Sequence, residues 1–183
     1  MKNDKQHHWW AGFTLQEAIF IGFSASMIVL SRILFRLHLG ISGHSMFMTV
    51  FFLLLGKGCV PKRWSASVIG IFAGLLGMIL GLGKGGPLDL LKLILPGIGI
   101  DLMSLVVADV TGSYLLCLIA GLIATISRMP GILVLDLLAG MDTTVAVQHS
   151  ALQTLGGMLF GSAGALLAYP LIKRLRSFQI LDH

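Results

Sequence analysis

The stretch Leu15–Leu37, LQEAIFIGFSASMIVLSRILFRL, decides the fold. From Ala18 to Ser31 it holds no ionisable side chain. Its 23 residues exceed the roughly 20 that a helix needs to cross a hydrocarbon core. The rest of the chain continues in the same character. Of 183 residues, 56% are hydrophobic and 11% are Asp, Glu, Lys or Arg, with a mean hydropathy of +0.91. Soluble domains carry about 25% charged residues. So few charges cannot clothe a water-soluble domain, which excludes an ordinary soluble enzyme, a disordered chain and a nucleic-acid-binding module. The net charge of +5 does not make a nucleic-acid surface, because the basic residues are scattered at segment ends.

We therefore expect an all-α integral membrane protein, a single transmembrane domain over residues 1–183 built as a six-helix transmembrane bundle. The helices are expected at about 15–37, 45–58, 64–82, 88–108, 112–127 and 145–172. Gly131–Met141, GILVLDLLAGM, follows Pro130 and is too short to span. It reads as a short re-entrant or interfacial segment between helices 5 and 6, packed against the bundle. Met1–His8 is polar, and no small-residue cleavage site follows a short apolar run, so the first apolar segment is expected to be a retained helix. Trp9, Trp10 and Trp64 suit an interfacial aromatic belt. Cys59 and Cys117 fit no metal or disulfide spacing.

Loop charges set an orientation. With six spans both termini share a side, and that side collects Lys2, Lys5, Lys57, Lys62, Arg63, Lys173, Arg174 and Arg176. The opposite side has Arg32, Arg36, Lys84, Lys92 and Arg128. The positive-inside rule then places both termini in the cytoplasm, in a multi-pass protein of the cell (inner) membrane. Small residues recur at helix-packing spacing: Ala18, Gly22 and Ser26 on span one, Gly70 and Gly74 on span three, Gly157, Gly161 and Ala165 on span six. Such stripes close a bundle internally or dock a partner helix, and the span-one stripe is the better candidate for docking.

Polar residues gather at the outer level. Arg32 and Arg36 lie one turn apart, and His38 and His44 follow in the first external connection. Lys84 sits in the Gly-rich turn GLGKGGPLD, with Asp89 and Lys92 opening span four. Asp136 and Asp142 flank the end of the short segment, and Gln148, His149 and Gln153 open span six, the last two sharing a face. Intramembrane ionisable groups usually face an interior or a watery cavity. Mostly apolar walls with a few convergent polar groups suit an outward-open small-molecule site. The competing readings are snorkelling for the arginines, simple pairing for Asp89 with Lys92, and a structural hydrogen-bonded role for His149. The cations Arg32, Arg36, Lys84 and Lys92 outnumber the acids Asp89, Asp136 and Asp142, which leans toward an anionic or strongly polar ligand.

Asp101 and Asp109 lie toward the inner side, where Asp101 either satisfies a neighbour within the bundle or contacts a partner. Pro96, Gly97 and Gly99 predict a kink or an unwound turn in span four. Catalytic motifs are poor. Ser45 and His149 have no G-x-S-x-G elbow, His7 and His8 have no third ligand for zinc, and no phosphate-binding G-x-x-x-x-G-K-[ST] loop occurs. No enzyme, no metal and no cofactor are expected in this chain, and any ATP would be used by partner subunits.

On its span count, its length and the Ala18, Gly22, Ser26 stripe, the chain resembles the substrate-binding S components of energy-coupling factor (ECF) transporters. The family's Ala-x-x-x-Ala stripe docks a transmembrane coupling subunit, and here Gly22 and Ser26 stand in place of alanines. The stretch CVPKRWSASVIGIFAGLLGMILG is similar in style. The resemblance implies high-affinity capture of a vitamin or related micronutrient outside, followed by delivery through a coupling subunit and two ATPases, with the S component toppling in the membrane. It implies a site at the outer ends of the later spans and the external loops, which here hold Arg36, His38, His44, Lys84, Asp89, Lys92, Asp136, His149 and Gln153. The motifs of the biotin and riboflavin members are absent, and KNDKQHH does not reproduce the N-terminal metal-binding histidine of the nickel and cobalt members. Partners are thus a small-molecule substrate, membrane lipid, and the coupling and ATPase subunits, with no nucleic acid. A self-sufficient small-solute permease or channel is the alternative; it requires a continuous polar path, whereas the polar residues concentrate in the outer half.

Overall fold

In an apolar surrounding, backbone N–H and C=O groups have no water to bond, so each apolar run satisfies them locally as a helix. The structure, a computed structural model, describes residues 14–36, 44–60, 62–82, 86–107 and 109–177. They form six α-helices: α1 (Leu15–Arg36), α2 (Ser45–Cys59), α3 (Ser65–Ile79), α4 (Leu91–Val106), α5 (Tyr114–Leu138) and α6 (Thr143–Ser177). A 3-10 turn, Gly86–Leu90, leads into α4. Local caps start two of them. Thr14 and Glu17 make a reciprocal capping box on α1 (Thr14 N to Glu17 Oε2, 2.7 Å; Glu17 N to Thr14 Oγ1, 3.3 Å). The Ser113 hydroxyl accepts from the Leu116 N–H at the head of α5, at 3.3 Å.

Helices α1, α3, α4, α5, α6 and α2 pack in that order as a closed ring, and α2 also reaches inward to α3, α4 and α5. That is why α2 is the most enclosed helix, with Val50, Leu53 and Leu54 fully buried. The outside is apolar. Ile19, Phe23, Leu34, Phe72, Val106 and Leu159 are all exposed. Several hydroxyls are buried instead. Thr125 and Thr154 return their protons to carbonyls one turn back, at 2.8 and 2.7 Å. Apolar outside with polar groups enclosed is the arrangement of a protein whose solvent is lipid. Three helices, α1 over Leu15–Leu34, α5 and α6, are long and apolar enough to cross a membrane. Helices α2 and α3 have 15 residues each and α4 has 16.

Two expectations are corrected. No separate short or re-entrant segment divides helices 5 and 6: Gly131–Leu138 is the last third of α5, which runs through Pro130. A proline removes one i→i−4 hydrogen bond, a loss that a bundle-packed apolar helix tolerates. Helix α4 likewise runs through Pro96 without an unwound turn. There Gly97 packs against α3 so closely that a Cβ would lie 2.5 Å from the Ala66 carbonyl oxygen.

Asp101 proves to be internal. Its carboxylate, fully buried, accepts from Lys57 Nζ at 2.7 Å and from the Ser67 N–H at 2.6 Å, with the Ala66 N–H at 3.4 Å. Lys57 also donates to the carbonyls of Lys62 (2.7 Å) and Arg63 (3.1 Å). Asp101 on α4 thus caps the N-terminus of α3, whose own N-cap residue Trp64 provides no side-chain bond.

Asp101→Ala leaves the Lys57 ammonium buried and unpaired, and we expect it to destabilise the protein by about 3–5 kcal/mol. Thermal unfolding in detergent checks this; a melting temperature equal to that of the wild type refutes the role given to the pair.

Candidate functional site

The bundle has two polar ends. The first carries the α1 C-terminus, the α4 N-terminus and the α5–α6 turn. That turn is tight, with Gly140 at φ +82°, a conformation glycine adopts without penalty. It brings the end of α5 against the start of α6, so Asp136 Oδ2 lies 2.7 Å from His149 Nδ1. Gln153, one turn further along α6, places Nε2 3.0 Å from His149 Nε2. A neutral imidazole satisfies both contacts, donating from Nδ1 to the carboxylate and accepting the Gln153 amide proton at Nε2. Asp136 is mostly enclosed, whereas the His149 side chain keeps 42% of its surface exposed. The chain Asp136–His149–Gln153 therefore presents an oriented ring edge and an amide to whatever enters from that end.

On the other flank of the same end, Lys92 Nζ pairs with Asp89 Oδ1 at 2.9 Å. Arg32 of α1 and Asp89 line one crevice, of about 20 Å³, with Val29, Gly74, Leu90 and Leu93. Arg128 of α5 lies within electrostatic reach of both Arg32 and Asp89. It is 8% exposed, and its Nε–H, like that of Arg32, has no hydrogen-bond acceptor among the described residues.

The structure thus brings together Asp136, His149 and Gln153 in one group, and Asp89 and Lys92 in a second. His44 is half-buried at the head of α2, where its carbonyl accepts from the Phe47 N–H at 3.2 Å. His38, Lys84 and the side chain of Arg36 lie outside the described residues. Arg128, counted in the sequence as a loop charge, is instead buried within α5. The pattern Ser-Arg-Met-Pro-Gly hides it, because a basic residue followed by Pro-Gly is also how a helix ends.

The opposite end holds a cavity of about 340 Å³ lined by Lys57, Lys62, Arg63, Asp109, Thr111 and Arg176, among others. Its cations are largely committed. Lys57 is bound to Asp101, and Lys62 pairs with Glu17 at 2.6 Å. Arg176 forms a two-pronged pair with Asp109 at 3.0 and 3.2 Å and donates to Thr111 at 2.7 Å. These contacts tie the end of α6 to the α4–α5 connection. They join residues 67 apart in sequence, which no local pattern announces.

The fold is similar to that of a solved structure described as an S-component of an ECF transporter, with a TM-score of 0.70 over 93% of this chain and 89% of that one, at 15% sequence identity. At this identity the likeness is one of fold. No family model and no curated protein sequence matches the chain.

The hydrogen bond from Arg176 holds the Asp109 carboxyl below its usual range, aided by Thr111. A carboxyl depressed by folding stabilises at pH above its ordinary value near 3.8 and loses that contribution as pH falls through the lower, folded value. We expect wild type to melt above Asp109→Asn at pH 6, with the gap closing as the pH falls below about 4. A gap that does not change with pH contradicts this.

Proposed function

We propose that this chain is the substrate-capturing subunit of an ATP-driven importer of the energy-coupling factor type, taking a vitamin or related micronutrient from outside the cell. The observation that carries the reading is the S-component fold across 93% of the chain. On this reading all six helices span the cell membrane, both termini are cytoplasmic, and the polar end that holds Asp136, His149 and Gln153 faces outward. Arg36, His38, His44, Lys84, Asp89 and Lys92 complete the binding site from the end of α1, the first external connection, the Gly-rich turn after α3 and the head of α4. His149 and Gln153 orient the substrate through directional hydrogen bonds, while the apolar walls supply most of the burial.

The docking face for the coupling subunit is the α1 stripe. Ala18, Gly22 and Ser26 are all exposed, and a side chain built at Gly22 meets no atom within 4 Å, so the face is open to a partner helix. Capture itself requires no ATP and no catalytic residue in this chain. The ATPase subunits, reached through the coupling subunit, supply the energy of release inside.

Native mass spectrometry of the purified chain is the direct test. We expect a co-purifying small molecule that stays bound without ATP, and co-purification with a coupling subunit when the two are expressed together. Rapid solute flux by the chain alone in liposomes favours the permease alternative and overturns the proposal. With the ligand identified, His149→Ala should weaken its binding by about 1–3 kcal/mol, roughly 5- to 150-fold, as expected when a ligand's hydrogen-bond partner is lost. Gly22→Leu should leave ligand affinity unchanged and abolish recovery of the coupling subunit. Unaltered affinity in His149→Ala removes that residue from the site.

A further inference from the structure

We propose that Arg32 and Arg128 form an anion-recognition pair, and that the captured molecule carries a carboxylate or phosphate group received between α1, α4 and α5. The inference rests on the reading that this end of the bundle captures a small molecule. Its basis is a charge imbalance. Three cations, Arg32, Lys92 and Arg128, surround one acid, Asp89, which is itself paired with Lys92. The sequence has no Asp or Glu between Glu17 and Asp89, so neither α2, α3 nor their connections supply a counter-charge. The remaining acids of this end are committed elsewhere, Asp136 to His149 and Asp142 to the head of α6 beside Thr143.

A buried donor without an acceptor is disfavoured, and a guanidinium offers donors in a planar fork suited to the paired oxygens of carboxylate or phosphate. Arg128 is 8% exposed, and the Nε–H groups of both arginines lack acceptors among the described residues. Arg128 lies three residues before Gly131, which packs against Leu91 at the head of α4, so it sits about one turn inside the polar end. The crevice that Arg32 and Asp89 line, about 20 Å³, has the size of a single water, so an anion entering beside Arg32 competes with the Asp89 carboxylate for that space.

The test follows thermal unfolding of the purified full-length chain in detergent, titrated with sodium phosphate or sodium acetate against sodium chloride at equal ionic strength. We expect one or both anions to raise the wild-type melting temperature, by about 5–10 °C at a hundredfold excess over Kd. The rise should vanish in Arg32→Met and in Arg128→Met, and should be larger in Asp89→Asn, which removes the competing carboxylate. The methionine variants should melt no lower than wild type in chloride alone, since each removes one of three cations gathered around a single acid. No rise in the wild type, or an equal rise in all four proteins, overturns the proposal. Should Arg128→Met fail to fold, Arg32→Met and Asp89→Asn decide it alone by their opposite signs. Phospholipid phosphorus bound to wild type but lost from both arginine variants assigns the pair to a lipid headgroup and also overturns it. None of these failures touches the capture reading itself, whose measure is recovery of the coupling subunit and of a bound micronutrient.

Discussion

A single enclosed carboxylate organises the bundle. Asp101 sits where α2, α3 and α4 meet and is bound by one ammonium and two backbone N–H groups. Burying either Asp101 or Lys57 alone would cost several kcal/mol of lost hydration. Together, with two carbonyls sharing the remaining protons of Lys57, they convert that cost into a geometric requirement. The α2–α3 connection must fold back over Lys57, and α3 must begin at the Asp101 carboxylate. Gly97, one turn earlier on α4, lets the two backbones meet there. From this anchor α4 runs as one rod to Leu91, so the positions of Lys92 and of the 3-10 turn that carries Asp89 follow from it. Helix α5 packs along the same rod, Gly99 against Ser127 and Gly131 against Leu95, which sets the height of Arg128.

Much of this was legible in the sequence, to different depths. The helices were readable because apolar run length is a one-dimensional property, and the His149–Gln153 pair because four-residue spacing on a helix is another. Asp101 was readable as an acid within span four with two possible roles, satisfying a neighbour in the bundle or contacting a partner. Choosing between them needed the tertiary neighbour Lys57, 44 positions away. The division of helix 5 at Ser127 was wrong for a physical reason. Arg-Met-Pro-Gly carries the local signals of a helix end, and only packing against α4 and α6 decides that the helix continues. That error hid two features at once, since a helix ending at Ser127 puts Arg128 in a loop and leaves Asp136 without a fixed direction toward His149. The pairing of Asp109 with Arg176 was beyond any local pattern for the same reason.

On the proposed reading, in which all six helices span, the shortness of α3 and α4 has a consequence for the surrounding bilayer. At 1.5 Å per residue, 15 and 16 residues make helices of about 22–24 Å, while the 25 residues of α5 make about 37 Å. Both α3 and α4 show apolar side chains to the outside, among them Phe72, Leu75, Leu102 and Leu105. On that reading lipid on that flank would meet a girdle thinner than a typical hydrocarbon core of about 30 Å, and lipid on the α5–α6 flank a thicker one. Such mismatch costs fractions of a kcal/mol per Å and is relieved by tilting or by local thinning. A body with an uneven girdle has no upright posture that suits all its faces, so its inclination in the membrane is set by a shallow compromise that membrane thickness alone can shift.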